Sequence, residues 1–277
     1  MNSKIVLCAA LFMAASLLGV AHAEEKSVYD AVKERGVLRA GIKADAPPFG
    51  FVNEKGEHVG FEVDLIKEIA RRLGVKLDIQ KVTSSTRIPM LTSNRVDIVA
   101  ATMTHYRKRE EVVDFSIGYM KGPMTLLVRK GSPVKSIADM KGRIAGFGVG
   151  SAALKEFQRI QPNAQYKTFQ GVPETFLALQ QGLIDAMPTD IIILAGLKAN
   201  VSNPANFELL GKDSHFADGE YGLGVPRNDS KWRNNVNYLL QDIWLDGTWD
   251  KIFDKWIGTP LKLNKNDLGF EMIVWEP

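Results

Sequence analysis

Short β-rich runs alternate with amphipathic helical stretches along residues 24–277, and this alternation confines the chain to an α/β architecture. Residues 37–42, 76–80 and 97–101 read as strands. Between the first two, residues 61–73 place Phe61, Leu65, Ile66, Ile69, Ala70 and Leu73 on one helical face, with Gly74 as the stop. A further helix is expected to start near Arg87, where Pro89 fits only the first turn. The second half repeats the rhythm, with strands at 143–147, 165–169 and 184–187 and helices at 151–160, 173–181 and 190–198. Residues 221–225 read as extended, and 230–246 as a long helix.

The first 23 residues have the layout of a secretory signal. Lys4 supplies the positive start, residues 5–20 the apolar stretch, and Ala21-His22-Ala23 a small-x-small cleavage site. Cleavage after Ala23 implies export to the periplasm. The apolar run is short, rich in alanine and followed by Glu24 and Glu25, which disfavours a membrane anchor. The single cysteine, Cys8, lies inside this segment, so the mature chain has no thiol for disulfides, metal or nucleophilic catalysis. Loss of the segment removes one base and no acid, lowering the formal net charge from +3 to +2 and giving nucleic acid nothing to bind.

Two extended stretches look like chain crossings: Gly122-Pro123 leading into residues 124–128, and residues 222–226. Both are punctuated by helix breakers. If they join the same two lobes, residues 24–122 with 226–277 form a discontinuous first lobe and 123–225 an inserted second one. The length is sufficient for two modest domains, each with its own core.

The run Gly60-Phe-Glu-Val-Asp-Leu65, followed by Ile69, Ala70 and Leu73, resembles the signature of the bacterial extracellular solute-binding proteins, family 3, which bind polar amino acids. Further landmarks follow in family order: Pro48-Phe49, Ile88-Pro89, Val96-Asp97, Thr102-Met-Thr104, Arg109, Asp114-Phe-Ser116, Gly182, Asp185 and Asp190. Gly247-Thr248-Trp249 and Lys255-Trp256-Ile-Gly258 extend the match over nearly the whole mature chain. The resemblance implies a two-lobed, type II periplasmic-binding-protein fold with two crossing strands as its hinge. It also implies an amino-acid ligand in the cleft and an ABC-transporter permease as partner. The protein is expected to be a monomer that needs no cofactor and no metal.

A zwitterionic amino acid needs a fixed cation and a fixed anion in a dry cleft, because burial of either charge unpaired is costly. Arg109 matches the family arginine that grips the carboxylate, and its planar guanidinium suits two parallel hydrogen bonds. A solvated helix charge is its alternative. Thr102 and Thr104 follow a strand and can offer hydroxyls and main-chain N–H groups, with plain packing as the alternative. Asp190 matches the family acid that receives the α-ammonium, and it is also placed to cap a helix starting at Ile191. Residues 146–151 lead from a strand into a helix and only loosely resemble a dinucleotide fingerprint, since the third glycine comes one residue early. Ser151 and free N–H groups at that helix start are expected to meet the ligand carboxylate. The family usually has a second hydroxyl where this chain has Ala152.

Specificity is expected from the residues that face the ligand side chain. In relatives that bind basic or amide amino acids, an aspartate usually stands where this chain has Lys43. Arg87 adds a second cation, as in glutamate and aspartate binders, so the expected ligand is L-glutamate or L-aspartate. Surface charge is the alternative for both side chains. Val172 stands where some acidic binders have histidine, and Ala46 and Ser84 replace stacking aromatics, which leaves glutamine or another polar ligand open.

Two other classes compete. Small dehydratases share the implied fold, yet proton-transfer chemistry needs a positioned acid or base. The mature chain has only His58, His105 and His215, without metal-ligand spacing, so no catalytic residue is assigned. A sensor that reports its ligand to a membrane receptor would use the same closure.

Overall fold

A computed structural model describes residues 26–276. In chain order, α1 (Val28–Arg35) leads into β1 (Val37–Lys43), then the short strands β2 (Asp45–Ala46), β3 (Gly50–Val52) and β4 (His58–Val59). Helix α2 (Phe61–Leu73), β5 (Lys76–Val82), α3 (Arg87–Thr92), β6 (Ile98–Ala100) and α4 (Arg107–Glu110) follow. The long strand β7 (Asp114–Arg129) opens a second series: β8 (Ile144–Gly148), α5 (Ala152–Ile160), β9 (Gln165–Phe169), α6 (Val172–Gln180), β10 (Ala186–Asp190) and α7 (Ile191–Ala199). Strands β11 (Phe207–Leu209) and β12 (Ala217–Val225) then lead to α8 (Ser230–Leu245) and α9 (Thr248–Phe253).

Helix α2 forms where its apolar period predicts, and all six residues of its expected face are buried. Glu62 and Asp64 stand in its first turn and Arg71 and Arg72 in its last, which suits the helix dipole. Gly74 ends it in the left-handed conformation, at φ 68°. At the other end, Gly60 has φ 134°, and a Cβ there would stand 2.3 Å from the Phe49 carbonyl oxygen. No other residue fits that approach without moving the backbone.

The main sheet runs β5-β1-β6-β12-β7-β10-β8-β9, with β11 paired to β7. Strand β1 is parallel to β5 and β6, and β8 is parallel to β9 and β10. Between these parallel sets, β7 and β12 pair antiparallel from Ala217 opposite Met124 to Val225 opposite Asp114. The chain therefore passes from one parallel set to the other along two adjacent strands. One buried cluster joins Leu38, Ile42, Phe49, Phe61 and Ile66 to Tyr119, Tyr221 and Trp249. A separate one gathers Leu126, Val128, Phe147, Phe157 and Phe216 around β8.

Several elements differ from their expected limits. Strand β7 starts at Asp114, well before the Gly122-Pro123 break, and β12 starts at Ala217. Both are buried on both faces over most of their length, which removes the alternation that marks a half-exposed strand. Strand β10 lies later than 184–187 and runs to Asp190. The β2-β3-β4 sheet was not expected, since two- and three-residue strands leave no periodicity. The expected signal segment lies outside the described residues. Among the described residues, no helix is long and apolar enough to cross a membrane.

Candidate functional site

In open parallel sheets the strand carboxyl ends leave a crevice where loops can present polar groups to a ligand. Both parallel sets follow that rule. Lys43 is the last residue of β1, Arg87 follows β5, Thr102 follows β6, Ser151 follows β8 and Asp190 ends β10. A cleft lies among these ends. Lys43, Asp45, Ser84, Arg87, Thr102 and Thr104 line one side of it. Residues 146–149, Ser151, Gly171, Val172 and Thr189 line the other, and Tyr221 of β12 lies between.

The two sides approach closely. A Cβ at Gly150, whose φ is 76°, would stand 2.7 Å from the Ser84 carbonyl oxygen. One at Gly171 would stand 2.6 Å from Asp45 Oδ2, and one at Gly196, inside α7, 2.7 Å from the Pro47 carbonyl oxygen.

Lys43 and Arg87 are nearly inaccessible, at 4% and 2% exposure, so neither is a surface charge. Among the described residues, no carboxylate lies within 4.0 Å of either cation. Burial, with the positive charge of Arg87 beside it, brings the Lys43 ammonium down to about 8. Burial and then Arg109 bring the Arg87 guanidinium down to about 9. Arg87 Nη1 donates to the carbonyls of Ala101 at 2.5 Å and Thr102 at 3.0 Å, while its buried Nε has no partner among the described residues.

Thr102 is a β-branched residue at φ 46°, a costly conformation that must be held by its surroundings. Its N–H donates to Glu62 Oε1 at 2.5 Å, and its hydroxyl donates to the Ala101 carbonyl at 2.9 Å. The hydroxyl of Tyr119 also donates to Glu62 Oε1. Glu62 is therefore more than a favourable charge at a helix start: it is a buried brace beneath the Thr102 backbone. Burial raises its carboxyl above the ordinary range.

Five of the seven expected site residues, Lys43, Arg87, Thr102, Thr104 and Ser151, line the cleft together. Arg109 and Asp190 stand just behind the lining. Arg109 Nη1 donates to the Thr104 carbonyl at 2.5 Å, and the guanidinium lies 5.2 Å from the centre of the Tyr106 ring. Asp190 caps α7, its Oδ1 accepting from the N–H groups of Ile192 at 2.7 Å and Ile193 at 3.3 Å. Its Oδ2 accepts from the Tyr221 hydroxyl at 2.9 Å, and burial raises the carboxyl to about 6 against that hydrogen bond. Gly122 leaves the space: a Cβ there would coincide with the Asp190 carboxylate. Ser151 caps α5, its Oγ accepting from the Ala153 N–H at 3.3 Å.

Sequence reasoning missed Asp45, Tyr119 and Tyr221. Asp45 gave a signal, as a carboxylate two residues after Lys43 in the same loop. Tyr119 and Tyr221 gave none, because a tyrosine that holds a buried carboxylate looks like any other core aromatic.

Two parallel half-sheets joined by paired crossing strands, with polar groups at their carboxyl ends, define the type II periplasmic-binding-protein fold. The chain belongs to the bacterial extracellular solute-binding proteins, family 3, whose model matches residues 38–259. It is 35% identical to the glutamine-binding protein of an ABC transporter from Bacillus subtilis, over 84% of this chain and 85% of that one. It is 27% identical to an L-glutamate/L-aspartate-binding protein of Pseudomonas aeruginosa, over 87% of this chain and 83% of that one. Among solved structures it resembles an ancestral amino acid-binding protein, a precursor of cyclohexadienyl dehydratase. That match has a TM-score of 0.76 and 32% identity, and covers 83% of this chain and 99% of that chain. The relatives of this family are amino-acid-binding proteins that work in ABC transport.

Proposed function

We propose that this protein captures an acidic amino acid, L-glutamate or L-aspartate, in the periplasm and delivers it to the permease of an ABC transporter. The observation that carries the ligand assignment is the pair of buried cations, Lys43 and Arg87, lining one cleft with, among the described residues, no carboxylate within 4.0 Å of either. Arg87 depresses Lys43, Arg109 depresses Arg87, and such buried cations cost stability until an anion arrives. A side-chain carboxylate reverses that cost. Thr102, Thr104 and Ser151 surround the α-carboxylate, and Arg109 reaches it by giving up the Thr104 carbonyl. Asp190 receives the α-ammonium in exchange for the Tyr221 hydroxyl.

Residues 24–122 with 226–277 act as one lobe and 123–225 as the other, hinged where β7 pairs with β12. Ligand bridges the lobes and favours the closed shape, which a monomer presents to its permease. Export requires cleavage after Ala23, and the mass of the secreted chain, starting at Glu24, tests that step. Binding without turnover is the whole activity. A thermal-shift screen of the amino acids tests the assignment: glutamate and aspartate, as the tightest ligands of the native state, raise the melting temperature most. A largest shift from arginine or lysine rejects it.

Glutamine is the second reading. The 35% identity to a glutamine-binding protein favours it. So does the lining itself, where Val172 and Ser84 add no further cation or ring.

A further inference from the structure

Asp45 belongs to β2, in the turn that follows Lys43, and lines the same cleft as Lys43 and Arg87. Its Oδ1 is buried and accepts no hydrogen bond from the described residues. Its Oδ2 lies 2.6 Å from the place a Cβ would take at Gly171, and Glu174 Oε2 lies 3.3 Å from that same place. A second carboxylate therefore stands on the opposite side of the cleft, and Asp45 fits against it only because residue 171 is glycine. Burial raises the Asp45 carboxyl, Lys43 opposes the rise and Glu174 adds to it.

The lining thus holds two kinds of unused group. Among the described residues, Arg87 Nε is a buried donor without a partner and Asp45 Oδ1 a buried acceptor without one. A carboxylate side chain satisfies donors only, and it brings a negative charge toward Asp45. A carboxamide satisfies both, because its oxygen accepts from the cations while its NH2 donates to Asp45. Unpaired buried polar groups are the strongest source of discrimination between such near-isosteres.

We propose that Asp45 is a specificity-determining residue that admits a carboxamide side chain, so that the site takes L-glutamine alongside L-glutamate. This rests on the reading of Lys43 and Arg87 as the side-chain subsite. Lys43 and Arg87 draw in the carboxylate; Asp45 offsets one of their charges and supplies the acceptor that glutamine needs. Asp45 is the one carboxylate among the described residues that line this cleft.

Calorimetric titration of the full mature protein with L-glutamate and L-glutamine tests the proposal, on the wild type and on the Asp45→Asn and Asp45→Ser variants. Thermal melts of each variant report its folding. The wild type is expected to bind both ligands, and each variant to shift the ratio of the two Kd values toward glutamate by about tenfold or more. A wild type that binds glutamate but an unchanged ratio in both folded variants overturns the role of Asp45 alone. A wild type that binds neither ligand overturns the subsite reading and the role of Asp45 with it.

Discussion

Substitution of Gly196 by alanine separates closure of the cleft from stability of the fold. Gly196 lies inside α7 and has an ordinary helical backbone, so alanine suits the helix better by about 0.5–1 kcal/mol. Its Cβ, however, would stand 2.7 Å from the Pro47 carbonyl oxygen and 2.9 Å from Pro48 Cδ. Both atoms belong to rigid backbone or ring, so neither can swing aside. Overpacking of this kind costs about 1–3 kcal/mol. If the contact exists only when the lobes are closed, the whole cost falls on the liganded form, and Kd rises about 5-fold to 140-fold. The ligand-free protein should melt at an unchanged or slightly higher temperature. Calorimetry with the preferred amino acid and a ligand-free thermal melt read the two effects. An unchanged Kd, or a ligand-free melting temperature lowered as far as the liganded one, refutes the reasoning.

Lys43→Met should weaken glutamate by about tenfold to a hundredfold, the value of one charge-assisted hydrogen bond, and leave L-alanine, whose side chain has no acceptor, nearly unchanged; competition binding with both ligands measures the difference. Asp190 carries a pH signature. Its folded-state value of about 6 stands above the ordinary 3.8, so the folded protein holds a proton that the unfolded chain has lost, and ligand-free stability falls as pH rises through that interval. Asp190→Asn should remove this slope, melt higher than wild type at neutral pH without ligand, and bind every amino acid more weakly. Melting curves between pH 4 and 7 with a single-point binding assay check both halves.

Helix α2 was legible because its buried face repeats with the helical period and its ends carry their own signals, acids at the start and Gly74 at the stop. Strand β12 was legible only in part. Its glycines at 219, 222 and 224 look like a loop, yet two of them allow close packing: a Cβ at Gly224 would meet Met103, and one at Gly222 would meet Phe115. That requirement comes from a partner more than a hundred residues away, which no local pattern contains.

The candidate site divides in the same way. Lys43, Arg87, Thr102, Thr104 and Ser151 were legible because each ends or closely follows a strand, and strand ends converge. The positions of Arg109 and Asp190 behind the lining were not legible. They depend on hydrogen bonds to the Thr104 carbonyl and the Tyr221 hydroxyl, groups that offer the same bonds in any sequence context. The bracing of Thr102 by Glu62 was hidden for a related reason, since a glutamate near a helix start has an ordinary explanation.

Direct titration of the mature protein with L-glutamate, L-glutamine, L-arginine and L-alanine in a calorimeter bears most closely on what the cleft holds. Saturable one-to-one binding of glutamate, with a Kd at least about tenfold below that of alanine and no measurable heat from arginine, is the predicted result. Arginine binding tighter than glutamate contradicts an acid-selective cleft, because the buried charges of Lys43 and Arg87 would then face a third cation.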